Sequence, residues 1–256
     1  MSWFLVFYFS STVFFTVAFL HKSEFFEKLG NAVLHLGVLF HAYHLFELSS
    51  RGHLMIANKQ IMATILLFLI SIIYLFFHKI YQLKFSGLLL IGVPFLLMVF
   101  QLSQDVNVTA AKAGQFNAHA FLSVFGFAFL SVSALGAALM VFMDGLLKSR
   151  RMDFFYERLP VLDNLEKMSY RAITFGFALL TAAAISGMFH AYAEGISAGS
   201  LGLKEYMIFA SMFGYVVYFF VRFRIGPLVR VLGVVSILSW LIQLVALFSL
   251  SGIHKI

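Results

Sequence analysis

The chain has 256 residues, of which 62% are hydrophobic and only 11% charged, and its mean hydropathy is +0.95. Soluble domains carry about 25% charged residues, so this composition excludes a soluble globular protein and points to an integral membrane protein. The absence of cysteine excludes disulfides, zinc–thiolate sites, iron–sulfur clusters and thioether attachment of haem to this chain. The net charge of +7 is not a nucleic-acid signal here, because basic residues in a membrane protein chiefly report orientation.

A bilayer span needs roughly 20 mainly apolar residues. Read in chain order, the sequence predicts an all-α fold: a polytopic transmembrane bundle of about eight spans forming one integral membrane domain over 1–256. The spans fall at about 3–20, 30–48, 55–77, 86–102, 119–143, 169–192, 205–222 and 228–250. The first has no basic leader and no small-residue cleavage site, and reads as a retained helix rather than a signal peptide. Pro94 is expected to kink the fourth span, and Pro227 suits the first turn of the eighth.

With the N-terminus outside, the inner loops hold Lys22, Lys28, Lys79, Lys84, Lys148, Arg150, Arg151, Arg158, Lys167, Arg171, Arg222, Arg224 and Arg230. The outer segments hold only Arg51, Lys59, Lys112, Lys204 and Lys255. This asymmetry places both termini on the extracytoplasmic face. The longest inner loop, about 144–168, is charged and amphipathic and reads as a linker that fixes topology. Its segment "RLPVLDNLE" (158–166) is expected to meet headgroups or a partner.

Two helices are rich in small residues, "SVSALGAA" (131–138) and "TAAAISG" (181–187). Helices associate in lipid by close packing of small side chains, so these spans are expected in the bundle interior, and packing alone accounts for them. No internal repeat, phosphate loop, paired-carboxylate site or Ser/His/Asp constellation is present.

The remaining chemistry lies in nine histidines. Six of them, His41, His44, His53, His119, His190 and His254, fall in the outer half of the expected topology. An ionisable group at membrane depth is rare and marks a functional hypothesis, although a single such histidine is more often a hydrogen-bonded packing residue. His41 and His44 share a helix face. His35 lies about 120° away around the helix, so the three do not converge on one metal unaided. Among metals, zinc and copper accept neutral imidazoles, but His41 and His44 are the only closely spaced outer pair. Haem needs only two well-separated axial imidazoles and apolar surroundings.

The stretch "LPVLDNLEKMSYRAITFGFALLTAAAISG" (159–187) resembles the cytochrome c assembly, or haem-handling, membrane protein superfamily of CcsA, CcmC, HemX and YpjD types. The shared pattern is Leu159, Pro160, Leu162, Leu165 and Glu166, then Tyr170 and Arg171 opening a helix, then Gly176, Phe177, Leu180, Thr181 and Gly187. "HAFLSVFGFAFLSVSALGAAL" (119–139) is similar to the family's preceding helix, which begins at an extracytoplasmic histidine. The family-like core covers about 119–254. The family's tryptophan-rich outer loop is degenerate here. Gly187, Ala191, Lys204 and Glu205 match it, whereas His190, Gly195, Gly199 and Leu201 stand where tryptophans are usual, and Gly202-Leu203 replaces an Asp-Pro pair. In the next helix Tyr215 and Tyr218 fit, but Phe220 takes a histidine position.

The resemblance implies a haem-binding membrane protein supporting cytochrome c assembly, rather than an enzyme, in a bacterial cytoplasmic membrane. It implies non-covalent b-type haem held at the extracytoplasmic face, with His119 and His254 as ligands of the haem iron. His190, His41 and His44 are supporting candidates for cofactor binding. The implied partners are membrane lipid, other cytochrome c assembly subunits and apocytochrome, with no nucleic acid. Two alternatives stay open: a regulatory or scaffold subunit without haem, of the HemX type and tied to control of haem synthesis, and a b-type electron carrier using the histidines of the second span.

Overall fold

The computed structural model describes residues 3–50, 59–102, 118–149, 158–193, 202–226 and 228–248. Every regular element among them is a helix: α1 (Trp3–His21), α2 (Glu24–Ser50), α3 (Lys59–Tyr81), α4 (Leu88–Leu102), α5 (Ala118–Lys148), α6 (Leu162–Ala193), α7 (Leu203–Arg224) and α8 (Val229–Phe248). Each expected span coincides with one of these helices. Pro227 lies outside the described residues.

Six helices, α1, α3, α5, α6, α7 and α8, are long and apolar enough to cross a membrane on their own. α2 spans about 40 Å at 1.5 Å per residue, but its first turn carries Glu24 and Glu27 and its outer part His41, His44 and Glu47. α4 is apolar but short. It opens with a π-helical turn over Leu88–Gly92, directly before Pro94. Proline supplies no N–H to the preceding turn and its ring crowds the carbonyl four residues back, so the irregularity falls where the sequence predicts a kink.

α5 is the central helix. In its apolar window 78% of residues are buried, against 17% in α7, which faces outward over most of its surface. α5 packs on α6, α8 and α3, α1 pairs with α2, and α7 pairs with α8. The α5–α6 crossing is a backbone contact. A Cβ on Gly126 would lie 3.0 Å from the Leu180 nitrogen and 3.1 Å from the Gly176 oxygen. Ser133 and Ser169 exchange hydroxyl-to-carbonyl bonds of 3.1 and 3.4 Å one level away. α7 meets α8 by the same chemistry, with the Ser211 hydroxyl donating to the Ser239 carbonyl at 2.8 Å. Small polar residues thus face helices, as expected for association in lipid, where apolar burial gives no driving force.

Consecutive helices run antiparallel, so the bundle has two ends. One carries the start of α5 at His119; the other carries Arg158 and the start of α6. At the latter end α1 and α3 each finish with a non-glycine residue in the left-handed region, Lys22 (φ 51°) and Gln82 (φ 48°). The Ser23 N–H closes α1 on the Ala18 carbonyl at 3.1 Å, the bond of a left-handed C-terminal cap.

Candidate ligand cavity at the His119 end

His119 sits in the first turn of α5, where α6 passes with Ala183, Ala184 and Gly187 facing it. Its Nδ1 lies 2.7 Å from the Ala183 carbonyl oxygen. A carbonyl only accepts, so Nδ1 carries the hydrogen and Nε2 of the neutral ring keeps its lone pair. Ligating histidines are oriented in this way by a hydrogen bond from the second ring nitrogen. Gly187 makes the approach possible. A Cβ there would stand 2.8 Å from His119 Nδ1 and 2.9 Å from Cε1, so any side chain displaces the ring.

His119 lines a cavity of about 220 Å³ bounded by α3, α5, α6, α7 and α8. Its floor is apolar and includes Leu66, Val124, Phe127 and Leu180. Its polar groups are few. Ser123 lies one turn below His119 on α5, Lys204 comes from the first turn of α7, and Gln243 comes from α8. Gln243 is only 6% exposed, and its Oε1 is buried without a hydrogen-bond partner among the described residues. An orphaned buried acceptor of this kind calls for an occupant of the space it faces. Beside Lys204, the Glu205 carboxylate turns back to accept the Gly202 N–H at 2.9 Å and caps α7.

A ring nitrogen held in its ligating tautomer, one cation, an orphaned acceptor and an apolar floor fit an apolar ligand that has a metal centre and an anionic edge. These residues fit haem in donor set and polarity.

The other predicted site residues divide three ways. His254 lies outside the described residues, as do Gly195, Gly199 and Leu201 of the degenerate loop. His190 is on α6, three positions beyond Gly187 and near the His119 end, but its side chain is outside the described residues. His41 and His44 do not line the cavity. His41 is fully buried between α1, α2 and α3. Its ring stacks on Phe4 at 4.1 Å, meets Phe68 edge-on at 5.3 Å, and its Nδ1 lies 3.3 Å from the Tyr8 hydroxyl. Nε2 is buried and has no hydrogen-bond partner among the described residues. His44, half-buried, lies over Phe4 at 5.1 Å. His35, on another face, is exposed and bonded to the Asn31 carbonyl at 2.7 Å. Of these three, His41 alone is fully buried, and among the described residues no group of three His, Cys, Asp or Glu side chains converges to hold a metal ion.

Sequence reasoning missed Gln243, Ser123 and the Ala183 carbonyl. Gln243 had a signal, being an amide inside the apolar run "SILSWLIQLVALF". The Ala183 carbonyl had none, because every residue has one. The chain matches no protein-family model, no curated protein and no solved structure.

Proposed function

We propose that this protein is an integral membrane haem-handling protein supporting cytochrome c assembly, holding haem at the extracytoplasmic face with His119 as one axial ligand and His254 as the other. The observation that carries this reading is the His119–Ala183 hydrogen bond, which engages Nδ1 and leaves Nε2 as the nitrogen available to a ligand beside a lined cavity. The resemblance of 119–139 and 159–187 to haem-handling membrane proteins supports it. The basic residues gathered toward the Arg158 end favour an extracytoplasmic position for the cavity at the opposite end.

Bound haem supplies an iron that accepts axial imidazole nitrogen. The residues of the chain then have distinct roles. His119 offers Nε2, and Ala183 and Gly187 fix its ring. Lys204 would pair with an anionic edge of the ligand. Gln243 and Ser123 would meet its polar groups, and Phe127, Val124 and Leu180 would exclude water from its apolar face. In this topology all eight helices span the bilayer, α2 packing on α1 and α3, and α4 on α3.

The absorption spectrum of the protein purified in mild detergent tests the reading. A Soret band with sharp reduced α and β bands is expected, and His119→Ala and His254→Ala should each abolish the six-coordinate spectrum. A featureless wild-type spectrum overturns it in favour of a scaffold without haem. A spectrum altered by His190→Ala alone would move the site to the last turn of α6.

A further inference from the structure

The cavity is walled on one side by α6 and α7, whose side-chain contacts with each other among the described residues gather toward the Arg158 end. Near the Arg158 end, Arg222 of α7 donates to Glu166 of α6 at 2.8 Å and lies over the Tyr170 ring at 4.0 Å. Higher up, Phe177 packs on Phe219 at 5.5 Å and on Tyr215 at 6.3 Å. Beyond that level Ala183 and Ala184 on α6 and Lys204 and Ile208 on α7 all line the cavity. The seam therefore becomes cavity wall where the pinning contacts end.

Both sides of this seam present a lipid surface. On α6, Ile185 and Met188 are 51% and 64% exposed; on α7, Tyr206 and Phe209 are strongly exposed. Apolar residues on the outside and an apolar floor within make a route that a membrane-dissolved ligand can follow without leaving a nonpolar medium. Lys204, in the first turn of α7, sits at the headgroup level of the proposed topology, where an ionised carboxylate also remains.

Resting on the haem reading above, we infer that the ligand is taken as a membrane-dissolved amphiphile, entering sideways from the outer leaflet between the halves of α6 and α7 that lie beyond Phe177 and Tyr215. The apolar face of the ligand slides past Ala184 and Ile208, and its anionic edge stays with Lys204. Its metal reaches His119 Nε2 last.

The native chain has no cysteine, so introduced thiols are unambiguous. The Ala184→Cys/Ile208→Cys protein is reconstituted without haem in phosphatidylcholine–phosphatidylglycerol vesicles that contain hemin, and growth of the Soret band is followed. Bridging the two thiols with a short bifunctional maleimide before hemin is supplied should slow loading roughly tenfold or more, as closing a gate does. Bridging after loading should leave the spectrum unchanged, which separates a blocked route from a filled cavity. A Glu166→Cys/Arg222→Cys pair, bridged where the helices already touch, should load at the unbridged rate. Equal loading with and without the bridge between positions 184 and 208 overturns the lateral route, as does equal slowing by both bridges. If the unbridged wild type never develops a Soret band, the haem reading itself fails.

Discussion

Arg158 donates its Nε–H to the carbonyl oxygen of Phe19 at 2.8 Å, across 139 residues of sequence. Its guanidinium also reaches the Leu20 carbonyl at 3.5 Å, and six residues later the Asn164 amide donates to the Tyr81 carbonyl at 2.8 Å. One short segment thereby closes the C-terminal ends of both α1 and α3, whose last carbonyls have no partners within their own helices. A cation at a helix C-terminus is also favoured by the helix dipole. The segment from Arg158 to Asn164 thus fastens the start of α6 to α1 and α3.

Arg158→Ala should therefore destabilise the fold by about 1.5–3 kcal/mol, the range for a hydrogen bond to a charged group. Arg158→Lys should recover only part, because it keeps the charge and loses the planar Nε donor. Thermal unfolding in detergent, followed by near-ultraviolet circular dichroism, measures both. Identical midpoints for wild type and Arg158→Ala would show the buckle to be idle.

If the protein holds haem as proposed, Gly187→Ala should leave the fold intact and weaken that binding by about 10- to 100-fold, the usual effect of losing a partner that orients a ligand. The added methyl group meets the His119 ring at 2.8 Å and pushes it off the Ala183 carbonyl. Hemin titration by absorbance gives the affinity. A shift from six- to five-coordinate spectra would identify His119 as the disturbed ligand.

Gly126→Ala and Gly176→Ala should each cost about 1–3 kcal/mol through overpacking. At Gly126 the new Cβ meets backbone, which cannot rotate away; at Gly176 it meets Leu130 Cγ at 2.7 Å as well as the Gly126 carbonyl at 3.0 Å. Gly145→Ala is the internal control, since nothing lies within 4 Å of its Cβ. Unfolding in increasing sodium dodecyl sulfate should rank the three variants, with Gly145→Ala at or above wild-type stability, since alanine is the better helix former.

Glu27, before the apolar part of α2, is 6% exposed and accepts the Phe85 N–H at 3.0 Å. Burial raises its carboxyl pKa above the ordinary 4.5, opposed by the Phe85 N–H and by Lys84. A folded pKa above the unfolded value means that the group's contribution is complete below the unfolded pKa and is lost as pH rises through the folded one. Glu27→Gln keeps the acceptor oxygen and removes the charge. It should match the wild type in acid and become the more stable protein at neutral pH and above, in midpoints measured from pH 4 to pH 8. A constant difference across that range would exclude Glu27 as the source.

The sequence by itself determined the membrane class, the order of the helices, the irregularity before Pro94 and the two helices whose small residues serve close packing. Those follow from length, composition and spacing, which act locally. It also placed His35 on a different face from His41 and His44. Only the tertiary structure decided which face looks inward, bringing Phe4 and Tyr8 of α1 over His41. Only the tertiary structure set Gly187 under His119 and aimed Gln243 into the same cavity. The physical reason is the solvent. In water an apolar stripe marks the core, but lipid is as apolar as leucine, so the outside and the inside of this bundle read alike along the chain. What distinguishes them is close approach and hydrogen bonding between helices, and both depend on partners far apart in sequence.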